Sequence, residues 1–130
     1  MDDALDAPLP QDSMVVIVDG ANVVGSRPDG WWRDRKGAAE RLRDRLAETG
    51  LPGLADPVEI VLVVEGAARD VASVPGIRVE SAPGSGDDRI VELAAEHAGR
   101  DRLVITADRE LRRRVTELGA EVAGPRTVLG

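Results

Sequence analysis

The chain has no cysteine, no phenylalanine and no tyrosine, only two tryptophans, and a single histidine. Without cysteine it can form no disulfide, no thiolate metal site and no cysteine nucleophile, and a reducing compartment, the cytoplasm, is the expected setting. Without phenylalanine or tyrosine the core has to be packed from Val, Leu, Ile and Ala, a composition that suits strands buried on both faces. No apolar run approaches the roughly 18 residues of a membrane span, so no membrane contact is expected. Residues 1–12, MDDALDAPLPQD, are acidic and lack the basic-then-apolar order of a signal peptide; they read as a disordered tail ahead of one domain over 13–130. The lone His97 lies inside a predicted helix, where it reads as a surface or packing residue, and no Ser-His-Asp set exists. Lys36, the sole lysine, stands far from the last strands, which excludes a receiver-type site.

At 130 residues and 42% hydrophobic content the chain is long enough for one core. Its formal net charge of -7 argues against coating nucleic acid by bulk electrostatics. Arginines nevertheless cluster, at 27, 33, 35, 41, 43 and 45 and again at 109 and 112–114. Such clusters are either solvated helix faces paired with Asp34, Glu40, Asp44 and Glu110 or contacts for phosphate.

The hydrophobic pattern alternates strands with helices. Met14 to Val18 is a β-branched run ending at the turn-like pair Asp19-Gly20. A helix is expected from about Arg33 to Thr49, stopped by Gly50 and Pro52. Val58 to Val64 is a second buried strand, Ile77 to Val79 a brief third, and Asp87 to Ala98 a helix with acids at its start, where the dipole favours an anion. Leu103 to Thr106, a helix over 108–118 and Glu121 to Ala123 complete the series. Alternation of this kind gives right-handed crossovers and a doubly wound parallel α/β sheet.

In open parallel sheets the functional crevice lies beyond the carboxyl ends of the strands. Here those ends carry Asp19, Glu65, the Asp87-Asp88 pair and Asp108. Singly, each has an ordinary reading: Asp19 in a turn, Asp87 or Asp108 as a helix cap, Glu65 in a loop. Jointly they place carboxylates at one sheet edge. Converging like charges call for a cation, and an oxygen-only donor set without His or Cys points to Mg²⁺ or Mn²⁺. Asn22, Arg27 and the Trp31-Trp32 pair fall in or after the first loop, and Arg109 follows Asp108, positions from which phosphate or an unpaired base could be contacted. With so few aromatics, at least one Trp is expected to anchor the core.

The segments Val18-Asp19-Gly20-Ala21-Asn22-Val23-Val24-Gly25, Gly86-Asp87-Asp88-Arg89-Ile90-Val91-Glu92 and Thr106-Ala107-Asp108 resemble the PIN-like nucleases, within them the NYN and YacP-like branch. The resemblance spans roughly Met14 to Val122. It implies a Rossmann-like three-layer domain in which Asp19, Asp88 and Asp108 ligate metal, with Asn22 fixing local geometry or contacting a ligand. Alignment on the following apolar residues favours Asp88 over Asp87, leaving Asp87 as cap or extra ligand; Glu65 matches loosely as a fourth. The activity implied is metal-dependent phosphodiester hydrolysis on RNA. Two alternatives stay open: a nucleotide pyrophosphohydrolase using the same carboxylates, and a degenerate module that binds RNA or a protein without cleaving.

Overall fold

The structure, a computed structural model, describes residues 13–27, 30–51 and 58–129; the expected N-terminal tail lies outside them. Five strands, β1 (Met14–Asp19), β2 (Val58–Val64), β3 (Ile77–Ser81), β4 (Arg102–Ile105) and β5 (Glu121–Ala123), form one sheet in the order β3-β2-β1-β4-β5, every pair parallel. The helices are α1 (Gly20–Gly25), α2 (Arg35–Thr49), α3 (Gly86–Glu96), α4 (Arg109–Thr116) and α5 (Arg126–Leu129). This is the doubly wound, three-layer architecture that the alternating pattern implied.

Side chains on β1 alternate between two cores, as the two-residue period of a strand requires. Val16 and Val18 pack with Val23, Leu42, Leu46 and Val128 on one face. Val15 and Ile17 pack with Ile90, Leu93, Leu111 and Val115 on the other. Both faces are therefore sealed by aliphatic residues alone. Contrary to expectation, neither tryptophan enters either core: Trp31 is half-buried and Trp32 is 52% exposed. Arg102 is buried at the start of β4 without a carboxylate partner among the described residues, and it donates to the carbonyls of Ala94, Leu118 and Arg100. Its charge thus sits against carbonyls at and beyond the C-terminal ends of α3 and α4, where the helix dipoles favour a cation.

Local elements differ from the sequence reading at α1 and at the start of α2. Asp19-Gly20 is not a tight turn: Asp19 caps α1 by accepting from the Asn22 N–H, and Gly20 is the first helical residue. Glycine is needed there for space, because a Cβ would lie 2.6 Å from the Val63 carbonyl oxygen. Likewise α2 starts at Arg35 rather than Arg33, because Trp31–Arg33 form a separate 3₁₀ turn and Asp34 accepts from Gly37 N–H as the cap. Asp34 is thereby engaged with backbone rather than with an arginine, while Arg43 pairs with Asp44 and Arg113 with Glu110.

Candidate functional site

Strand order reverses between β1 and β4, and the site lies past the C-terminal ends of these central strands. Asp19 at the end of β1, Glu65 after β2, Asp87 in the first turn of α3 and Asp108 after β4 line one open pocket of about 240 Å³, together with Ala21 and Asn22. Four chain segments thus deliver four carboxylates to one place.

Asp19 is the most constrained of them. It is only 4% exposed; its Oδ1 accepts from Asn22 N–H at 3.3 Å and its Oδ2 from the Thr106 hydroxyl at 2.8 Å. Burial pushes its pKa up to about 6, against the lowering effect of those two hydrogen bonds, and the charges of Asp87 and Glu65 add to the rise. Asp87 is also raised, first by burial and then by the charges of Asp108 and Glu65. Asp108 caps α4 through Leu111 N–H. Glu65 accepts from Gly86 N–H at 3.1 Å, tying the end of β2 to the start of α3.

Thr106, read from the sequence only as a strand end and as part of a motif, is the hinge of the site. Its hydroxyl donates to Asp19 and accepts from Asp108 N–H at 3.1 Å, so one buried side chain fixes two of the acids. Asn22 acts similarly across the pocket, its Oδ1 accepting from Ala107 N–H at 2.8 Å. That bond fastens α1 to the loop after β4.

Several expected site residues stand elsewhere. Asp88 does not line the pocket; its carboxylate is exposed and pairs with Arg114 at 3.0 Å. Nor is Asp87 the cap of α3, a role taken by Ser85, whose hydroxyl accepts from Asp88 N–H. Ser85 and Asp88 occupy the ends of a Ser-x-x-Asp capping pattern, a signal in the sequence that marks Asp88 as the third helical residue and leaves Asp87 to face the pocket. Arg27 donates to the Leu129 carbonyl at 2.7 Å and lines a different pocket with Arg41 and Arg45. Arg109 is exposed, absent from the pocket wall, and unpaired among the described residues. Arg112 and Arg114 are half-buried rather than solvated, the former donating to the Thr106 carbonyl. Trp31 lies in an apolar pocket that shares Ala21 and Glu65 with the acidic one. His97, at the far end of α3, contacts the Leu93 carbonyl, consistent with packing.

Among the described residues no three carboxylates are gathered as a set that could hold a metal ion as they stand. Asp19, Glu65 and Asp108 each accept from a backbone amide, and like charges brought into one pocket repel. The donor chemistry, four hard-oxygen carboxylates in one pocket, still suits a small divalent cation.

Fold and pocket together define an α/β three-layer protein with an acidic crevice past the C-terminal ends of a parallel sheet. No protein-family model matches the chain, and no curated protein matches it. Among solved structures there are two matching chains. One is Rae1 (YacP) from Bacillus subtilis, similar with a TM-score of 0.64 over 88% of this chain and 71% of that one, at 21% identity. The likeness shows a YacP-like fold. No helix among the described residues is long and apolar enough to cross a membrane.

Proposed function

We propose that the chain is a metal-dependent phosphodiesterase of ribonuclease type that hydrolyses RNA in the cytoplasm. The observation that carries this reading is the convergence of Asp19, Glu65, Asp87 and Asp108 on one pocket; the three motifs that resemble the NYN and YacP-like branch and the fold shared with Rae1 support it. Mg²⁺ or Mn²⁺ would be held by Asp19, Asp87 and Asp108, with Glu65 as a further acid lining the same pocket. A cation bound there would lower the pKa of a water and offset charge developing on the phosphate. The chain's own contribution is positioning. Thr106 and the Asn22 amide hold Asp19, Thr106 also holds the Asp108 backbone, and Asn22 holds the loop between them. Burial first, and then the neighbouring carboxylates, raise the pKa of Asp19 and of Asp87, and a bound cation would offset that cost.

The test is hydrolysis of labelled single-stranded RNA by wild-type and Asp19→Asn protein in Mg²⁺, Mn²⁺ and chelator. Metal-dependent cleavage lost in the variant is expected. Undiminished cleavage by Asp19→Asn overturns the assignment. Pyrophosphate release from a nucleotide panel without RNA cleavage would select the nucleotide-hydrolase alternative. A second reading, a module that binds without cleaving, is favoured by one observation, the lack of a ready-made set of three ligands among the described residues; chelator-insensitive RNA binding with no hydrolysis in any metal would select it.

A further inference from the structure

An aliphatic core leaves the two aromatic rings of this protein at its surface, which needs an explanation, since exposed indole forgoes the burial that drives folding. Trp31 is set by the 3₁₀ turn Trp31–Arg33 into the wall of an apolar pocket of about 150 Å³. Val24 and Val64 form part of its lining, and Ala21 and Glu65 line both it and the acidic pocket. The Arg35 guanidinium carbon sits 5.3 Å from the Trp31 ring centroid, and Arg35 has no ion-pair partner among the described residues. Trp32 braces Trp31 edge-on, with centroids 6.0 Å apart.

These features specify an occupant. The volume falls below the ~300 Å³ at which pockets for drug-sized ligands begin, so the pocket takes one planar group rather than a whole nucleotide. Its wall is apolar with an indole and a guanidinium, the two side-chain surfaces on which bases stack. It also shares Ala21 and the Glu65 carboxylate with the acidic pocket. We propose that this pocket holds one unpaired nucleobase, stacked on Trp31 and flanked by Arg35, from the strand whose phosphate occupies the acidic pocket. The inference rests on the phosphodiesterase reading of the acidic pocket and adds a base subsite to it, one that a base held in a duplex cannot leave its stack to enter.

Two tryptophans and no tyrosine make the test direct. Trp32→Phe protein leaves Trp31 as the sole indole, and its fluorescence is titrated in chelator and low salt with a short single-stranded RNA, an abasic strand of equal length and an RNA duplex. Quenching by the single strand is expected, with about tenfold weaker apparent affinity for the abasic strand and the duplex. Anisotropy of the labelled single strand should show about tenfold weaker binding by Trp31→Ala and near wild-type binding by Trp31→Phe. Equal quenching by the abasic strand, no quenching by any strand, or unchanged binding by Trp31→Ala overturns the proposal. Because no metal is present, failure here is separable from failure of the catalytic reading: cleavage that is sensitive to Asp19→Asn but indifferent to Trp31→Ala sinks only the base pocket. Base-dependent quenching in a protein that cleaves in no metal sinks only the chemistry.

Discussion

The Thr106 hydroxyl donates to Asp19 Oδ2 across the two central strands, at 2.8 Å and out of contact with solvent. A buried carboxylate with a raised pKa is thereby held by a neutral donor rather than by a cation, so its charge is oriented without being cancelled. That is the electrostatic condition for a site that takes up a metal ion instead of forming an internal ion pair.

Replacing Thr106 with Val removes that donor and the acceptor for Asp108 N–H together. A loss of about 1–3 kcal/mol of stability is expected by denaturant titration, the scale for a buried group left unpaired. Thr106→Ser, which keeps the hydroxyl, should recover most of it. Equal stability of Thr106→Val and wild type would show that the hydroxyl does not hold the site.

Asp87 and Asp88 are neighbours with opposite surroundings. On a helix consecutive residues point about 100° apart, and here that rotation sends Asp87 to the acidic pocket and Asp88 to Arg114. If the pocket is catalytic, Asp87→Asn should lower metal-dependent turnover by at least about a hundredfold, roughly the 2.7 kcal/mol lost with one charge-stabilising group. Asp88→Asn should stay within a few-fold, since it removes an exposed ion pair of small worth. The reverse ranking would return the ligand role to Asp88.

The same pair shows where sequence reading reaches its limit. The parallel sheet was legible because β-branched runs such as Met14–Val18 and Val58–Val64 admit few other structures, and the acids at their ends follow from topology. Which acid of a doublet faces inward depended on helix phase, set by the Ser85 cap. Helix α1 was illegible for another reason: six residues with glycine at both ends carry weak helix propensity, and Asp19 capping with burial of Val23 supplies what propensity does not. Arg27 was placed by nearness in sequence to the first loop, yet its guanidinium reaches the Leu129 carbonyl across a contact separated by 102 positions. The same holds for the short α5, whose burial of Val128 no local pattern announced.

Gly20 permits the close approach of α1 to β2. Gly20→Ala would press a Cβ to 2.6 Å from the Val63 carbonyl, a backbone atom that cannot swing aside. A destabilisation of about 1–3 kcal/mol follows from overpacking, measurable as a shift of the denaturant midpoint at constant slope. By contrast, Gly86→Ala would meet the movable end of Glu65, so its effect should fall on metal binding more than on stability.

Asp19 also makes stability depend on pH with a definite sign. Its folded pKa of about 6 lies above the ordinary value of 3.8, so between those limits the folded state binds the proton that the unfolded chain releases. The resulting stabilisation is fully present below pH 3.8 and is lost as pH rises through about 6. For the metal-free protein the loss is of order 3 kcal/mol from this one group, and Asp87, raised for related reasons, adds with the same sign. Denaturation in chelator at a series of pH values from 4.5 to 7.5 should therefore show stability falling toward neutrality. Asp19→Asn, which cannot ionise, should flatten that slope and be the more stable protein at pH 7.5 while binding Mn²⁺ less well. Saturating Mn²⁺ should restore wild-type stability at neutral pH and leave the variant almost unmoved, because only a ligand favouring the folded state contributes by mass action. A wild-type slope unchanged by Asp19→Asn would mean that the buried carboxyl is not strained, and the argument for a cation in this pocket would lose its electrostatic basis.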